Sequence, residues 1–361
     1  LADYKPAQKL KTKAAAAHHA GHLPQFKMLV EELMTRNLIS AIFATSTVAA
    51  GVNFPARTVV IPQSDRFNGH SFEDLTATDL FQMTGRAGRR GLDNIGFAIV
   101  VPGEHMDLAL MKLLFRSAPN PVVSSLTINF FMVLNLLNAF APGQVRDLLS
   151  SSLAAWQRAK SHAKKSLFKA AREMWLDFQR HVRLLVEAGL LDEAGNLTSD
   201  GHTAKHLRLD HPLALHAAMK NGGLPLEPAL LAATLASMSE EKAAPRRYGI
   251  KPRVKYNLRP LLPALINLAE AVEPMATLLA ANDFPVPSLM NLKNAAAVHC
   301  WASGREYNEA VEVLERDPGD LVRLVLTVCE QLNQLTYLHD VEPLAKAAKE
   351  ARALLLREPM L

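Results

Sequence analysis

Residues 79–97 read DLFQMTGRAGRRGLDNIGF, a segment in which glycines separate arginines within a pattern that is otherwise helical. On a helix over residues 78–90, Gln82, Arg86 and Arg89 stand at i, i+4 and i+7 and share one face. Guanidinium groups bind phosphate oxygens two at a time and do not lose their charge. The spacing therefore predicts a phosphate-binding stripe made of one amide and two arginines.

The glycines are the unexpected part of this segment. Gly85 and Gly88 would each destabilise a helix interior by about 1 kcal/mol, so we expect them where a ligand or another backbone segment comes close. Gly91 is expected to end the helix. A solvated basic helix end is the simpler interpretation of a lone R-x-x-R pair, but the longer run Q-M-T-G-R-A-G-R-R-G-L-D disfavours it.

Short apolar runs lie on both sides of this segment. Residues 39–45, 58–61 and 96–101 are predicted as strands, the first of them buried, and strands that alternate with helices indicate a parallel α/β sheet. The first strand would place Thr45 and Thr47 at the carboxyl edge of the sheet, where α/β folds bind ligands. Hydroxyl groups and free backbone amides at such an edge can hold a nucleic-acid phosphate.

Length and composition leave room for several domains. The 361 residues are 49% apolar with a net charge of +5, which permits nucleic-acid binding without requiring it. Cys300 and Cys329 lie outside any CxxC or Cys/His cluster, so we expect no zinc site, no disulfide framework and a reducing cytoplasm. The polar start and the lack of an uncharged 18-residue apolar run predict no signal peptide and no membrane span. Because the chain begins with Leu rather than Met, we also expect a piece of a longer protein.

The rest of the chain has a helical pattern. Three helices are predicted first, over residues 126–139, 148–158 and 166–189. Gly189 is the expected C-cap of the third helix. A turn at 193–195 then joins two short extended pieces before a helix near Ser199, which is the outline of a winged-helix domain. From residue 208 onward we expect nearly all helix, with prolines such as Pro274 at the joints.

Several segments resemble one known family. The run at residues 82–93 resembles motif VI of superfamily 2 helicases, in the version of the DExH-box helicases of the superkiller and exosome-associated type. FATSTVAAGVNFPARTVVI (residues 43–61) resembles their motif V, and HHAGHLP (residues 18–24) resembles the segment just upstream of it. Residues 126–157 look like the first helices of the family's winged-helix domain, and residues 301–335 look like its helical C-terminal domain.

The resemblance implies the fold class and the domains. The expected fold is a partial α/β RecA-like domain, then a winged-helix domain, then an all-α helical bundle. The corresponding domains are residues 1–120, 121–210 and 211–361.

The resemblance also implies roles for individual residues. In the family, motif VI arginines reach from the second RecA-like domain to the phosphates of ATP bound on the first. Arg89 is therefore the expected arginine finger, with Arg86 and Gln82 as further catalytic residues. The residues expected near ATP are Gly51, Asn53, Gln82, Arg86 and Arg89.

Nucleic-acid contacts are expected in three places. By resemblance, Thr45 touches the strand, and Arg323 lies on a "ratchet" helix that crosses the channel. His19 either contacts the nucleic-acid backbone or has a plain structural use. Thr47 joins them as a hydroxyl at the sheet edge. A metal interpretation of the histidines in HHAGHLP is disfavoured, because Gly21 and Pro24 break any helix that would align them.

Two basic stretches have competing interpretations. RRYGIKPRVKYNLRP, residues 246–260, contains no acid and interleaves tyrosines, so that Arg246, Arg253 and Lys255 could attract phosphates while aromatic rings stack on bases. A solvated loop between helices is an equally good interpretation. The basic residues between Lys160 and Arg172 are better explained as a solvated helix face than as a contribution to general RNA attraction.

Two departures from the family limit the prediction. Only a short connector, residues 158–165, stands where exosome-associated relatives carry a long arch insertion. No G-x-x-x-x-G-K-[ST] run and no D-E-x-H box occurs in the 361 residues, so the part of the site that holds the phosphates and Mg²⁺ is missing. We therefore expect this chain alone to be inactive.

The sequence thus predicts a C-terminal portion of an ATP-dependent, Mg²⁺-requiring helicase that translocates on nucleic acid and unwinds it. The expected partners are single-stranded or partly duplex nucleic acid, with RNA preferred, and the first RecA-like domain, with no membrane. One alternative is a nucleic-acid-binding module without catalytic activity. Another is a DNA repair helicase of the same superfamily.

Overall fold

The computed structural model describes residues 4–45, 56–68, 71–89, 91–161, 167–207, 211–239, 256–288, 290–337 and 342–360. The chain forms two compact units. Unit 1 consists of Leu1–Val122, Glu241–Lys251 and Asp317–Val322. Unit 2 consists of Val123–Glu240, Pro252–Arg316 and Arg323–Leu361.

The described residues form short strands and many helices. The strands are β1 (Ala15–His18), β2 (Ala41–Ala44), β3 (Thr58–Ile61), β4 (Asp65–Phe67), β5 (Phe72–Asp74) and β6 (Phe97–Val100). The first helices are α1 (Lys5–Lys13), α2 (Pro24–Thr35), α3 (Ala77–Thr84), α4 (Leu108–Leu114), α5 (Phe130–Ala139), α6 (Pro142–Ser150), α7 (Leu153–Ser161) and α8 (Leu167–Glu187). The remaining helices are α9 (Ser199–Ala204), α10 (Pro212–Lys220), α11 (Pro228–Ser237), α12 (Leu262–Ala281), α13 (Leu292–Ala302), α14 (Tyr307–Leu314), α15 (Pro318–Thr336) and α16 (Glu342–Leu355).

The described strands of unit 1 pair two by two. β1 runs parallel to β2, with His18 opposite Ala44, and β3 runs parallel to β6, with Thr58 opposite Phe97. β4 and β5 form an antiparallel hairpin. The predicted strands are found and their pairing is parallel, but among the described residues they form two separate pairs rather than one sheet.

β2 is not the buried strand that its apolar sequence predicted. Phe43 is 72% exposed, and Val60 and Ile99 on the other parallel pair are exposed as well. Helices α1 and α2 pack against β1. A parallel pair is buried on both faces only where helices cover both, so the prediction was right about the strand and wrong about its coverage.

A small apolar core positions helix α3 in unit 1. Its fully buried centre is Leu80, and its members are Ile61, Leu75, Ala77, Leu80, Met111 and Leu114. Leu80 faces this core, and its packing fixes the position of α3. The residues after Thr84 therefore start from a fixed helix end.

Helix α8 supports the core of unit 2 with the face that its spacing predicted. Ala170, Met174, Phe178 and Leu185 are all buried. Gly189 follows in the left-handed conformation, with φ of 73°, as expected of a C-cap.

The predicted helix over residues 148–158 is wrong, because the chain breaks there into α6 and α7. The Ser151 hydroxyl donates to the Asp147 carbonyl at 2.6 Å, and the Ser152 hydroxyl donates to the Leu149 carbonyl at 2.7 Å. Ser152 then accepts from the Ala155 N–H at 3.2 Å. Serine side chains compete in this way with the helical backbone, ending one helix and capping the next.

The segment after Gly189 has the turn that the sequence predicted. Leu191 and Leu197 form a single antiparallel bridge around it, and Thr198 caps the short helix α9. One bridge is less than the two extended pieces expected, and the winged-helix interpretation stays a prediction.

The C-terminal part is helical, as predicted, but Pro274 does not end a helix. It lies inside the 20-residue helix α12, where both Pro274 and Glu270 are exposed residues. Because proline has no N–H, the Glu270 carbonyl receives no hydrogen bond from residue 274. Among the described helices, α12 is also the one long and apolar enough to cross a membrane, a test that core helices pass too. Its Met275, Leu278 and Leu279 belong to the apolar core of unit 2.

Candidate nucleotide and nucleic-acid interface

The arginine–glycine segment begins as a helix and continues as a loop. Thr76 caps α3 through a reciprocal pair of hydrogen bonds with Asp79. The helix ends at Thr84, whose hydroxyl bonds to the Leu80 carbonyl at 2.9 Å, and Gly85 is its C-cap. The predicted helix over residues 78–90 is therefore wrong.

The loop leaves the helix because its backbone pairs elsewhere. Ala87 forms a parallel bridge with Ala56, in which the Ala56 N–H donates to the Arg86 carbonyl at 2.9 Å and the Gly88 N–H donates to the Ala56 carbonyl at 2.7 Å. Gly88 has φ of 90°, a conformation that side chains disfavour. A Cβ on Gly96 would lie 2.5 Å from backbone atoms of Ala87 and Gly88. The close approach expected at Gly88 is thus an approach of backbone to backbone.

A consequence is that Gln82, Arg86 and Arg89 do not share a helix face. Gln82 is exposed on α3, whereas Arg86 and Arg89 lie half-buried in the loop that follows. The stripe inferred from i, i+4, i+7 spacing is therefore wrong. The glycines could have suggested this, since glycine favours helix ends as well as close contacts.

Arg89 is held by three neighbouring oxygens. Its Nε and Nη2 donate to the two carboxylate oxygens of Asp93 at 2.8 and 3.0 Å, and its Nη1 donates to Asn37 Oδ1 at 2.7 Å. The Arg89 backbone N–H also donates to Asp93 at 3.0 Å. The guanidinium is therefore oriented on both sides by groups from α2's end and from its own loop.

These contacts fix the charge of the pair. The hydrogen bond from Arg89, aided by a backbone N–H, lowers the pKa of Asp93 to about 2, and the same contact raises the pKa of Arg89. The Asp93 side chain is 8% exposed and that of Arg89 is 30% exposed. These contacts use three of the five N–H groups of the guanidinium.

The ends of β1 and β2 bring together two of the predicted nucleic-acid residues. His18 pairs with Ala44, and the Thr45 N–H donates to the His18 carbonyl at 3.4 Å. His19 and Thr45 therefore follow directly from the carboxyl ends of two adjacent parallel strands. This is the sheet edge at which the sequence placed Thr45, and Thr45 is exposed there.

The histidines beside this edge have partners within the fold. His18 Nε2 lies 3.0 Å from Glu31 Oε1, and His22 Nδ1 lies 2.7 Å from the Tyr4 hydroxyl. His19 Nδ1 accepts from the Gly21 N–H at 3.2 Å. Burial, and then the nearby His19, lower the pKa of His22 to about 4, so this ring is neutral at physiological pH. The described residues hold no group of three His, Cys, Asp or Glu side chains arranged for a metal ion.

Two glycines join this loop, residues 19–22, to the start of helix α15. The Gly319 N–H donates to the Gly21 carbonyl at 2.9 Å. A Cβ on Gly319 would lie 2.5 Å from the carbonyl oxygens of Ala20 and His22, and a Cβ on Gly21 would collide with the Asp317 carboxylate. All of these residues belong to unit 1, and we call this contact the glycine junction.

Arg323 lies on the same helix, in its part that belongs to unit 2. Leu321, Val322 and Val325 are buried, while Arg323 is exposed on the opposite side of the helix. The remaining predicted site residues lie outside the described residues. They are Thr47, Gly51, Asn53, Arg246, Arg253 and Lys255.

One feature was missed from the sequence. Phe67 and Phe72 end the two strands of the β4–β5 hairpin, with ring centroids 5.3 Å apart and exposed fractions of 41% and 68%. The signal was Asn68-Gly69, a dipeptide typical of hairpin turns, between two aromatic residues.

The chain is similar to known proteins in two ways. Residues 194–361 match the family described as the DSHCT (NUC185) domain. The chain is 42% identical over 149 residues to a Mycobacterium tuberculosis protein named Probable helicase HelY, a match of 41% of this chain and 16% of that protein.

Two further relatives are named after the exosome and the superkiller complex. The chain is 42% identical over 120 residues to the Exosome RNA helicase MTR4 of Homo sapiens, covering 33% of this chain and 12% of that protein. It is 33% identical over 186 residues to Superkiller complex protein 2 of Mus musculus, covering 51% of this chain and 14% of that protein. The chain thus spans only a small part of the length of the curated relatives it matches.

Proposed function

Since this chain is related to the superfamily 2 DExH-box helicases of the superkiller and exosome-associated type, we propose that it is a C-terminal portion of an ATP-dependent helicase that acts on RNA. The observation that carries the proposal is the anchored arginine loop of unit 1. Its backbone is paired to Ala56, and Arg89 is oriented by Asp93 and Asn37.

We propose that Arg89 acts as an arginine finger, with Arg86 and Gln82 beside it. An arginine at the transferring phosphoryl group accelerates phosphoryl transfer by about 10³–10⁵-fold. Phosphate oxygens would replace the Asp93 carboxylate on one side of the guanidinium. Asp93 would keep its hydrogen bond from the Arg89 backbone N–H, so that the loop stays closed during the exchange.

The opposite wall of the nucleotide site must come from outside these residues. The sequence has no phosphate-binding G-x-x-x-x-G-K-[ST] run and no D-E-x-H box for Mg²⁺. We propose that a first RecA-like domain supplies both, and that the 361-residue chain alone does not hydrolyse ATP. ATP turnover by the purified chain, abolished by Arg89→Ala, would refute this part of the proposal.

We propose nucleic-acid contacts within each unit. His19 and Thr45 stand at the carboxyl ends of β1 and β2, where hydroxyl and backbone groups can hold phosphates. Phe67 and Phe72 offer exposed rings on which bases can stack. Arg323 offers an exposed guanidinium on α15. The name of one relative, the Exosome RNA helicase MTR4, favours RNA over DNA as the substrate.

The test is an ATPase assay on the complete helicase that contains this chain. We expect Arg89→Ala to lower RNA-stimulated kcat by at least about 10³-fold while ATP binding changes much less. The matched control is Arg36→Ala, because Arg36 is also paired with a carboxylate but is 67% exposed on α2. Unchanged kcat in the Arg89 variant would refute the arginine-finger role, and a lack of ATP turnover in the complete protein would favour a nucleic-acid-binding module without catalytic activity.

The substrate is tested by fluorescence anisotropy with matched RNA and DNA single strands. We expect tighter binding of RNA by the complete protein at the same salt concentration. Equal affinity, or a preference for DNA, would favour a DNA helicase of the same superfamily.

A further inference from the structure

Basic residues lie on helices α7 and α8, which pack against each other. In the sequence, residues 152–172 carry six lysines and arginines and no aspartate or glutamate. The six are Arg158, Lys160, Lys164, Lys165, Lys169 and Arg172, of which Lys164 and Lys165 lie outside the described residues. From the charges alone, this stretch was best explained as a solvated helix face.

The structure adds an aromatic ring to that face. Trp156 is 48% exposed on α7, and the Lys160 ammonium lies 4.0 Å from the centroid of its ring. Leu153, one turn earlier, is also 46% exposed. Ala154 and Ala155 are buried on the inner side of the same helix. The helix is therefore packed on the core, and Trp156 lies on its outer face.

The other two tryptophans show the contrast. Trp301 is 1% exposed and its Nε1 donates to the Leu355 carbonyl at 2.9 Å. Trp175 is half-buried and stacks on Phe178 at 5.3 Å with an interplanar angle of 11°. Trp156 is thus the tryptophan whose ring is open to a large planar ligand.

We propose that Trp156 and Lys160 form a stacking site for a base of single-stranded nucleic acid, separate from the strand ends of unit 1. Basic side chains attract the phosphate backbone and an aromatic ring stacks on a base, which together are the usual means of binding single strands. A run of aspartate and glutamate side chains would pair with the basic residues but has no aromatic ring to stack on the indole. The exposed side chains of Lys169 and Arg172 extend the same charge onto α8.

Lys160 has a defined part in this site. In the free protein its ammonium rests against the indole as a cation–π contact. When a base stacks on the ring, the Lys160 ammonium leaves the indole and pairs with the adjacent phosphate of the ligand. The proposal shares with the proposed function only the assumption that the partner is nucleic acid.

The first experiment uses the 361-residue chain and a fluorescein-labelled 12-nucleotide oligouridylate. By anisotropy, we expect Trp156→Ala to weaken binding about tenfold, the loss of one stacked base, and Trp156→Phe to weaken it much less. With unlabelled oligouridylate, the tryptophan fluorescence of the wild type should be quenched, and Trp156→Phe should abolish that quenching. Circular dichroism checks that each variant is folded.

The second experiment measures the charges. We expect Lys160→Gln with Lys169→Gln to lower the slope of log affinity against log salt by up to about 1.4, at about 0.7 for each lost phosphate contact. The control is Lys346→Gln with Lys349→Gln, two exposed lysines on α16 in a sequence that also carries Glu342 and Glu350. Equal slopes for the two double variants would overturn the proposal.

Two other results would also overturn it. One is oligouridylate affinity that is unchanged by Trp156→Ala. The other is competition by polyglutamate as effective as that by unlabelled oligouridylate, which would mean that only charge is recognised. Whether or not Arg89→Ala loses ATPase activity, the oligouridylate-binding results stay the same. The stacking site and the proposed function can therefore be refuted independently of each other.

Discussion

Replacing Gly96 by alanine tests how the arginine loop is held. The ideal Cβ of residue 96 would lie 2.5 Å from the carbon of Ala87 and from the nitrogen of Gly88. Both are backbone atoms, so no side-chain rotation can relieve the collision. Overpacking of this kind typically costs about 1–3 kcal/mol. We expect the loop to move away from Ala56 and to lose the two hydrogen bonds that join them.

The global readout is the thermal transition of unit 1. A loss of 1 kcal/mol lowers Tm by about 4–8 °C in a domain near 100 residues and by about 2–4 °C in one of 150–250 residues. We therefore expect a fall of at least about 3 °C. Gly103→Ala is the control, because a Cβ at Gly103 meets no atom within 4 Å.

The local readout is amide hydrogen exchange. The N–H groups of Ala56 and Gly88 are protected by the bonds to Arg86 and Ala56, and we expect both to exchange faster in Gly96→Ala but not in Gly103→Ala. Equal Tm values and equal exchange in the two variants would refute the close backbone approach as the reason for glycine at this position.

Three further predictions concern the charges and contacts near the candidate site. Asp93→Asn should reduce the acid sensitivity of Tm between pH 4 and 2. The lowered pKa of Asp93 gives stability that is present above the pKa of the unfolded chain and is lost as pH falls toward about 2. An identical pH profile of Tm for the variant and the wild type would contradict this. His22 has a lowered pKa, so stability should be complete above about pH 6.5 and fall as pH drops toward about 4, and thermal melts of His22→Gln should show a smaller fall than the wild type. Gly319→Ala should lower the Tm of unit 1 through its collision with two carbonyl oxygens, whereas Gly103→Ala, which lies in the same unit and meets no atom within 4 Å, should leave Tm nearly unchanged.

Local patterns in the sequence were sufficient where a single element decides the outcome. The strands at residues 58–61 and 96–101 and the buried face of α8 follow from periodicity, since each side chain's position depends only on its own element. The same holds for the turn before Thr198. The helix end at Thr84 was open to the same reasoning, because glycine signals a helix end as readily as a close contact.

The arginine site depended on contacts that spacing does not show. Asp93 stands four residues after Arg89, and this pair was visible in the sequence. Asn37, the third partner, is 52 residues away and gave no signal. The bridge from Ala87 to Ala56 similarly joins residues that only the folded chain brings together. Tertiary pairing therefore overrode a helical pattern whose spacing was otherwise consistent.

The glycine junction has a consequence for the order in which the protein is made. Gly21 leaves the ribosome about 300 residues before Gly319, and at the usual 5–20 residues per second this is a delay of about 15–60 s. During that time the carbonyls of Ala20, Gly21 and His22 have no α15 to meet. Unit 1 therefore completes the glycine junction only after the start of α15 has been synthesised.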